Sequence, residues 1–212
     1  MGLPKERLFL VIRTALYALI FLLGMFIFSP LSLQMNVHDG NCILYAERNS
    51  DYPSKSNCNF CIAIGVLFCF IYGGLMTIIG ALRLLEIISD SEKFKGVLFI
   101  VNVVVDAVSM FLVLVTASIL SAGLKAVCDS FTPVGYHCRD IFLIVNSSGE
   151  HDTFYNNLAI AEGGAWICFI AWIVQTVLGV FIMYRNNIIR IPCLKNSSST
   201  DIPGPSADGN KY

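Results

Sequence analysis

One carboxylate stands where hydrocarbon would surround it. Residues 101–110 read VNVVVDAVSM, and Asp106 is the acid in that apolar run. A group so placed can titrate on a proton or ion path, or it can bond to neighbouring helices. Alone near mid-membrane it would cost about 2.5–3.5 kcal/mol on insertion scales, so it has to face protein. Asn102, Asp106, Ser109, Val113 and Thr116 recur at spacings of four, three, four and three, which is one helical seam. Counting inward at ~1.5 Å per residue places Asp106 ~13 Å deep, level with Tyr17 and Gln175 and beside the small Gly73. The expectation is an intramembrane polar layer of Tyr17, Asn102, Asp106 and Gln175, with Asp106 bonded to Tyr17, Gln175 or both. Gly164, Cys168, Ala171 and Gln175 form a second seam on the last apolar run.

Four other cysteines, Cys42, Cys58, Cys128 and Cys138, fall in polar stretches between apolar runs. Two per stretch allow Cys42–Cys58 and Cys128–Cys138, with Pro133 and Gly135 turning the second pair together. Cross-loop pairing is the rival, since four cysteines permit three connectivities. Cys58-Asn59-Phe60-Cys61 is formally a C-x-x-C, but no βαβ pattern surrounds it, and Cys61 reads as a small residue opening an apolar span. His38, His137 and His151 could in principle make a metal site or a pH sensor, yet their spacing carries no metal signature. No H-E-x-x-H, G-x-S-x-G or Walker A sequence occurs. An intramembrane aspartyl enzyme would need two opposed carboxylates, and the interior offers one. No cofactor is implied.

The elements that must hold these residues follow from composition. The 212 residues are 56% hydrophobic and 14% charged, with mean hydropathy +0.70, far from a soluble domain's usual quarter charged. The apolar residues cluster at about 8–28, 61–82, 97–119 and 159–184, each meeting the ~20 residues a helix needs to cross a bilayer. The fold class is therefore an all-α membrane protein, a four-helix transmembrane bundle with a small disulfide-braced lumenal or extracellular cap. Residues 1–184 form the four-span domain, with outside loops at 29–60 and 120–158. Residues 185–212 are polar, rich in Pro, Gly and Ser, and have the composition of a disordered tail. The first run is about twice as long as a secretory h-region and reads as a retained anchor. Gly65, Cys69, Gly73, Thr77 and Ala81 recur every four residues on the second run, a ridge that lets another helix approach closely. The 14-residue link before the third run makes spans two and three a tight hairpin. CILYA and IFLIV are short enough to pair as a lumenal sheet.

Ten Lys and Arg fall at the ends and in the middle loop, Arg13 among them, and four in the other two loops. The positive-inside rule then puts both termini in the cytosol. On that topology the sequon at Asn146 is lumenal and open to glycosylation. Asn196 would be cytosolic, and Cys193 sits beside basic residues where palmitoylation occurs.

SPLS followed by CILY, VCDSF with Cys138 ten residues after Cys128, and FYNNLAIAEGGAW with Trp166 and Trp172 together resemble the transmembrane protein 179 family. The likeness covers the loops and spans three and four and is weaker in spans one and two. It implies a four-span protein with cytosolic termini and carries over no activity, cofactor or catalytic residue. The functional expectation is a non-enzymatic scaffold or accessory subunit in a plasma membrane or endomembrane. It would meet lipid and other membrane proteins, not nucleic acid. The alternative is a small transporter or proton-conducting protein using Asp106.

Overall fold

A computed structural model describes residues 5–37, 42, 44, 55–85, 92–131 and 154–185. The chain forms α1 (Lys5–Val37), α2 (Ser56–Ile64), a π-helical segment (Gly65–Tyr72), α3 (Gly73–Leu84), α4 (Glu92–Phe131) and α5 (Phe154–Arg185). No strand occurs among the described residues, and IFLIV lies outside them. Helix α2, the π segment and α3 run on as one span. Among the described residues four helices are long and apolar enough to cross a membrane: Arg7–Asn36, Ser56–Leu84, Val97–Asp129 and Asn156–Arg185. These run past the apolar stretches themselves. Helix α1 takes in SPLS, including Pro30, and α4 continues through VCDSF.

Burial follows helical periodicity. On α1 the inward residues are Arg13, Tyr17, Ile20, Leu23, Ile27 and Leu31, three or four apart as one face of a helix requires. On α4, Asp106, Ser109, Val113 and Thr116 are buried on one seam. The opposite faces carry Leu22, Phe26, Val104, Val108, Phe111 and Val177, exposed and apolar, as suits contact with acyl chains. Two hydroxyls on the α4 seam bond their own backbone: Ser109 Oγ donates to the Val105 carbonyl at 2.8 Å and Thr116 Oγ1 to Leu112 at 3.0 Å. Each thus stays satisfied where no water is at hand.

Helix α1 packs against both the second span and α5, and α5 also packs against α4. The second span meets α4 chiefly through α2 and the π segment, not through α3. The tight hairpin expected between spans two and three is therefore not closely packed along α3 among the described residues. The reason is the small-residue ridge, which is spent on α1. A Cβ added at Gly24 would lie 2.9 Å from the Cys69 Cβ and 3.0 Å from the Phe70 backbone nitrogen. Gly65 faces Ile27 and Phe28, and Gly73 faces Ile20 and the Phe21 backbone. Steps of four residues overshoot one α-helical turn by about 40° and fall short of a turn in a wider π segment. Gly65 and Cys69 lie in the π segment and Gly73 just after it, and all three come against α1. Phe21 and Phe70 stack across this seam at 4.7 Å.

Cys42 and Cys58 form a disulfide closing a separation of 16 residues, with Cα atoms 5.9 Å apart. It braces the end of the bundle remote from the start of α1. The bridge ties Cys42 to the start of the second span, and buried Leu44 lies against Gly123 of α4 there. Cys128, near the end of α4, is disulfide-bonded as well. Cys138 lies outside the described residues, as do His38, His137, His151, Asn146 and Cys193.

Candidate functional site: an intramembrane polar clamp

Asp106 is fully buried and receives hydrogen bonds from two other spans. Arg13 Nη2 donates to its Oδ2 at 3.1 Å, forming a salt bridge between α1 and α4. The Tyr17 hydroxyl lies 2.9 Å from both carboxylate oxygens and shares its single hydrogen between them. Tyr72, last residue of the π segment, places its hydroxyl 2.9 Å from Oδ1 and 2.7 Å from Asn102 Oδ1. With one hydrogen it donates to one of these at a time. Asn102, one turn before Asp106, donates from Nδ2 to the Tyr17 oxygen at 3.0 Å. Arg13 also reaches that oxygen, at 3.2 Å. Five side chains from three spans thus close one network around one carboxylate.

Local helix geometry explains who can take part. Arg13 and Tyr17 are four residues apart and so lie one above the other on α1. Arg13 enters the membrane about a turn shallower than Tyr17, and its long side chain covers the difference. Its guanidinium also lies 4.9 Å from the Phe99 ring centroid and 5.8 Å from that of Tyr17, where ring faces attract cations. Trp172 of α5 closes the remaining side. It stacks on Tyr72 at 6.0 Å and 11°, and meets Tyr17 edge-on at 6.2 Å.

Tyr17, Asn102 and Asp106 come together, and Gln175 does not bond to Asp106. Gln175 is fully buried and comes against Tyr17, but neither atom of its amide has a hydrogen-bond partner among the described residues. The acid is already taken: Arg13 and Tyr72 occupy its free lone pairs. Both escaped the sequence reading. Arg13 was counted as a flanking charge, although a basic residue inside RLFLVIRTALYALIF is the natural counterion for an intramembrane acid. Tyr72 stands next to Gly73, which depth counting singled out for its size.

A second, smaller network lies toward the disulfide end. Ser121 Oγ donates to Glu162 Oε1 at 2.5 Å and accepts from Trp166 Nε1 at 3.0 Å, tying α4 to α5. Glu162 of α5 is thus bonded to α4. Among the described residues no three His, Cys, Asp or Glu gather as metal ligands. The arrangement around Asp106 is a clamp between helices: its acceptors are occupied, its cation is paired, and its hydroxyls point inward.

Comparison with known proteins places these features in a family. A family model described as the transmembrane protein 179/179B claudin domain matches residues 9–201. Transmembrane protein 179B of Danio rerio is 26% identical over 205 residues, covering 90% of both chains. Transmembrane protein 179B of Homo sapiens is 27% identical over 176 residues, covering 80% of both. No solved structure matches.

The two tyrosines should not be equal. Tyr17→Phe removes a donor to Asp106 and the shared acceptor of Arg13 and Asn102, whereas Tyr72→Phe removes one donor. Polar contacts between membrane helices are worth about 0.6 kcal/mol each and at most ~1.7. Unfolding in mixed micelles should show Tyr17→Phe to be the more destabilising of the two. A Tyr72→Phe loss equal to or larger than that of Tyr17→Phe would contradict the bonding order given above.

Proposed function

Because the chain belongs to the transmembrane protein 179/179B claudin-domain family, we propose that it works as a non-enzymatic scaffold or accessory subunit. It acts through lateral helix contacts and its outside loops on other proteins of the same membrane. The observation that carries this reading is the saturation of Asp106. A carboxylate engaged by Arg13, Tyr17 and Tyr72, with no exposure, clamps helices; a transport site has to release its partners in turn. For the alternative, a small transporter or proton-conducting protein using Asp106, no continuous polar path is seen among the described residues. Beyond Asp106 on its seam the hydroxyls of Ser109 and Thr116 are bonded to their own backbone. With the small-residue ridge facing α1, the surfaces left for partners are the lipid-facing sides of the four spans and the disulfide-braced end.

Proximity labelling and ion-flux measurement, each with and without Asp106→Asn at matched amounts of folded protein, separate the two readings. The scaffold predicts no flux from the reconstituted protein and labelled partners that are lost when the clamp is weakened. Unchanged partners with a flux that depends on Asp106 would reverse the conclusion.

The orientation proposed has both termini in the cytosol, in a plasma membrane or endomembrane, with the Cys42–Cys58 bridge on the oxidising side. Even with Arg13 removed from the count as an intramembrane residue, nine flanking basic residues oppose four. Asn146 is then the glycan acceptor, and Cys193 faces the cytosol, where palmitoylation takes place. A glycosidase should shift the protein's electrophoretic band once, and Asn146→Gln should abolish the shift. A glycan on Asn196 would invert the topology.

A further inference from the structure

Between the polar clamp and the braced end lies a layer of different chemistry. Cys69 of the π segment and Cys168 of α5 are both fully buried free thiols, with sulfurs 3.5 Å apart. Cys69 lies 13 residues inside Ser56 and Cys168 12 residues inside Asn156, each about 18–20 Å along its helix and so deep in the hydrocarbon. The indole nitrogen of Trp172, one helical turn beyond Cys168, lies near both sulfurs without bonding either. Trp172 is fully buried, and that nitrogen has no hydrogen-bond partner of its own among the described residues. Two sulfurs in near contact with an uncommitted donor beside them are more than close packing needs. Cys61, the other buried free cysteine of the described residues, has no such neighbour.

We propose that Cys69 and Cys168 are a disulfide-forming pair inside the bilayer, oxidised by organic hydroperoxides dissolved in it. Depth selects the oxidant. Charged oxidants such as oxidised glutathione stay in water, whereas a lipid-type hydroperoxide partitions to where these sulfurs lie. In the first step one sulfur attacks the hydroperoxide, whose O–O bond breaks. The sulfur becomes a sulfenic acid, and the hydroperoxide, taking the thiol proton, leaves as an alcohol. In the second step the other thiol attacks that sulfur, the S–S bond forms, and the oxygen leaves as water with the second proton. Two thiols thus give two electrons to one hydroperoxide. The Trp172 N–H is placed to stabilise negative charge on sulfur during either attack, which deep burial otherwise disfavours. The product would join residues 99 apart, linking the second span directly to α5 beside the Tyr72–Trp172 stack.

The test uses the full chain in lipid nanodiscs. It is treated with cumene hydroperoxide, alkylated after denaturation, digested without reductant and mapped by mass spectrometry. A Cys69–Cys168 linked peptide should appear with the oxidant and disappear after phosphine reduction. It should be missing from Cys69→Ala and from Cys168→Ala, while Cys61 remains alkylated throughout. Since the linked peptide is sought in the unsubstituted protein, poor folding of either variant leaves the primary result intact. Recovery of Cys69 and Cys168 on separate peptides after oxidation, as thiols or as sulfinic acids, would overturn the proposal. So would a linked peptide joining either of them to Cys61.

Discussion

A carboxylate that hydrocarbon cannot solvate has to be solvated by protein, and in this molecule that requirement draws three spans to one point. Asp106 is bonded to Arg13 and Tyr17 of α1 and to Tyr72 of the second span. Neither charge is cheap by itself, at about 2.5–3.5 kcal/mol each on insertion scales, so each helix is better placed in the bundle than alone in lipid. This is specificity more than strength. Apolar helices gain little from each other that acyl chains do not also offer, whereas a buried acid admits few arrangements. The Arg13–Asp106 pair fixes the facing and depth of α1 against α4, and Tyr72 fixes the second span against both.

The rest of the bundle accommodates that geometry. Close approach of α1 and the second span depends on Gly24, Gly65 and Gly73, where a methyl group would already press on the opposite helix. The π segment ends at Tyr72, whose phenol reaches Asn102 and Asp106 of α4. Helix α5 brings no charge to the clamp; it brings Trp172, whose ring covers both tyrosines and whose nitrogen faces the thiol pair. Depth therefore orders the chemistry: ion pair and phenols nearest the start of α1, then thiols, then the Ser121–Glu162–Trp166 contact, then the Cys42–Cys58 bridge.

The spans were legible because membrane thickness writes itself as run length, and no other signal in the chain is so redundant. The inner face of α4 was legible too, because Asn102, Asp106, Ser109 and Thr116 are polar residues in an apolar run and their spacing alone gives the seam. The partners of Asp106 were harder. Depth counting aligns Cα atoms, and so it found Tyr17. It passed over Arg13, whose guanidinium acts well away from its own backbone. Gln175 sits at the right depth, but hydrogen bonding depends on rotation as well as depth, and Arg13 and Tyr72 fill the acid's lone pairs first. The spacing of the small-residue ridge was readable, while its partner was not: a strip of glycines says that a helix comes close without saying which. Chain proximity suggested α4, and packing chose α1.

The central claim is that Arg13 and Asp106 stabilise the bundle as a pair, each chiefly answering the burial of the other. A double-mutant cycle on unfolding in mixed micelles, with Arg13→Met, Asp106→Leu and the two combined, measures that coupling. Each single change strands a buried charge and should cost about 3–5 kcal/mol. The combined change leaves no charge stranded, so it should cost much less than the sum and should regain part of what either single change loses. Additive losses would contradict the account, because they would mean that the two residues are buried side by side without depending on each other.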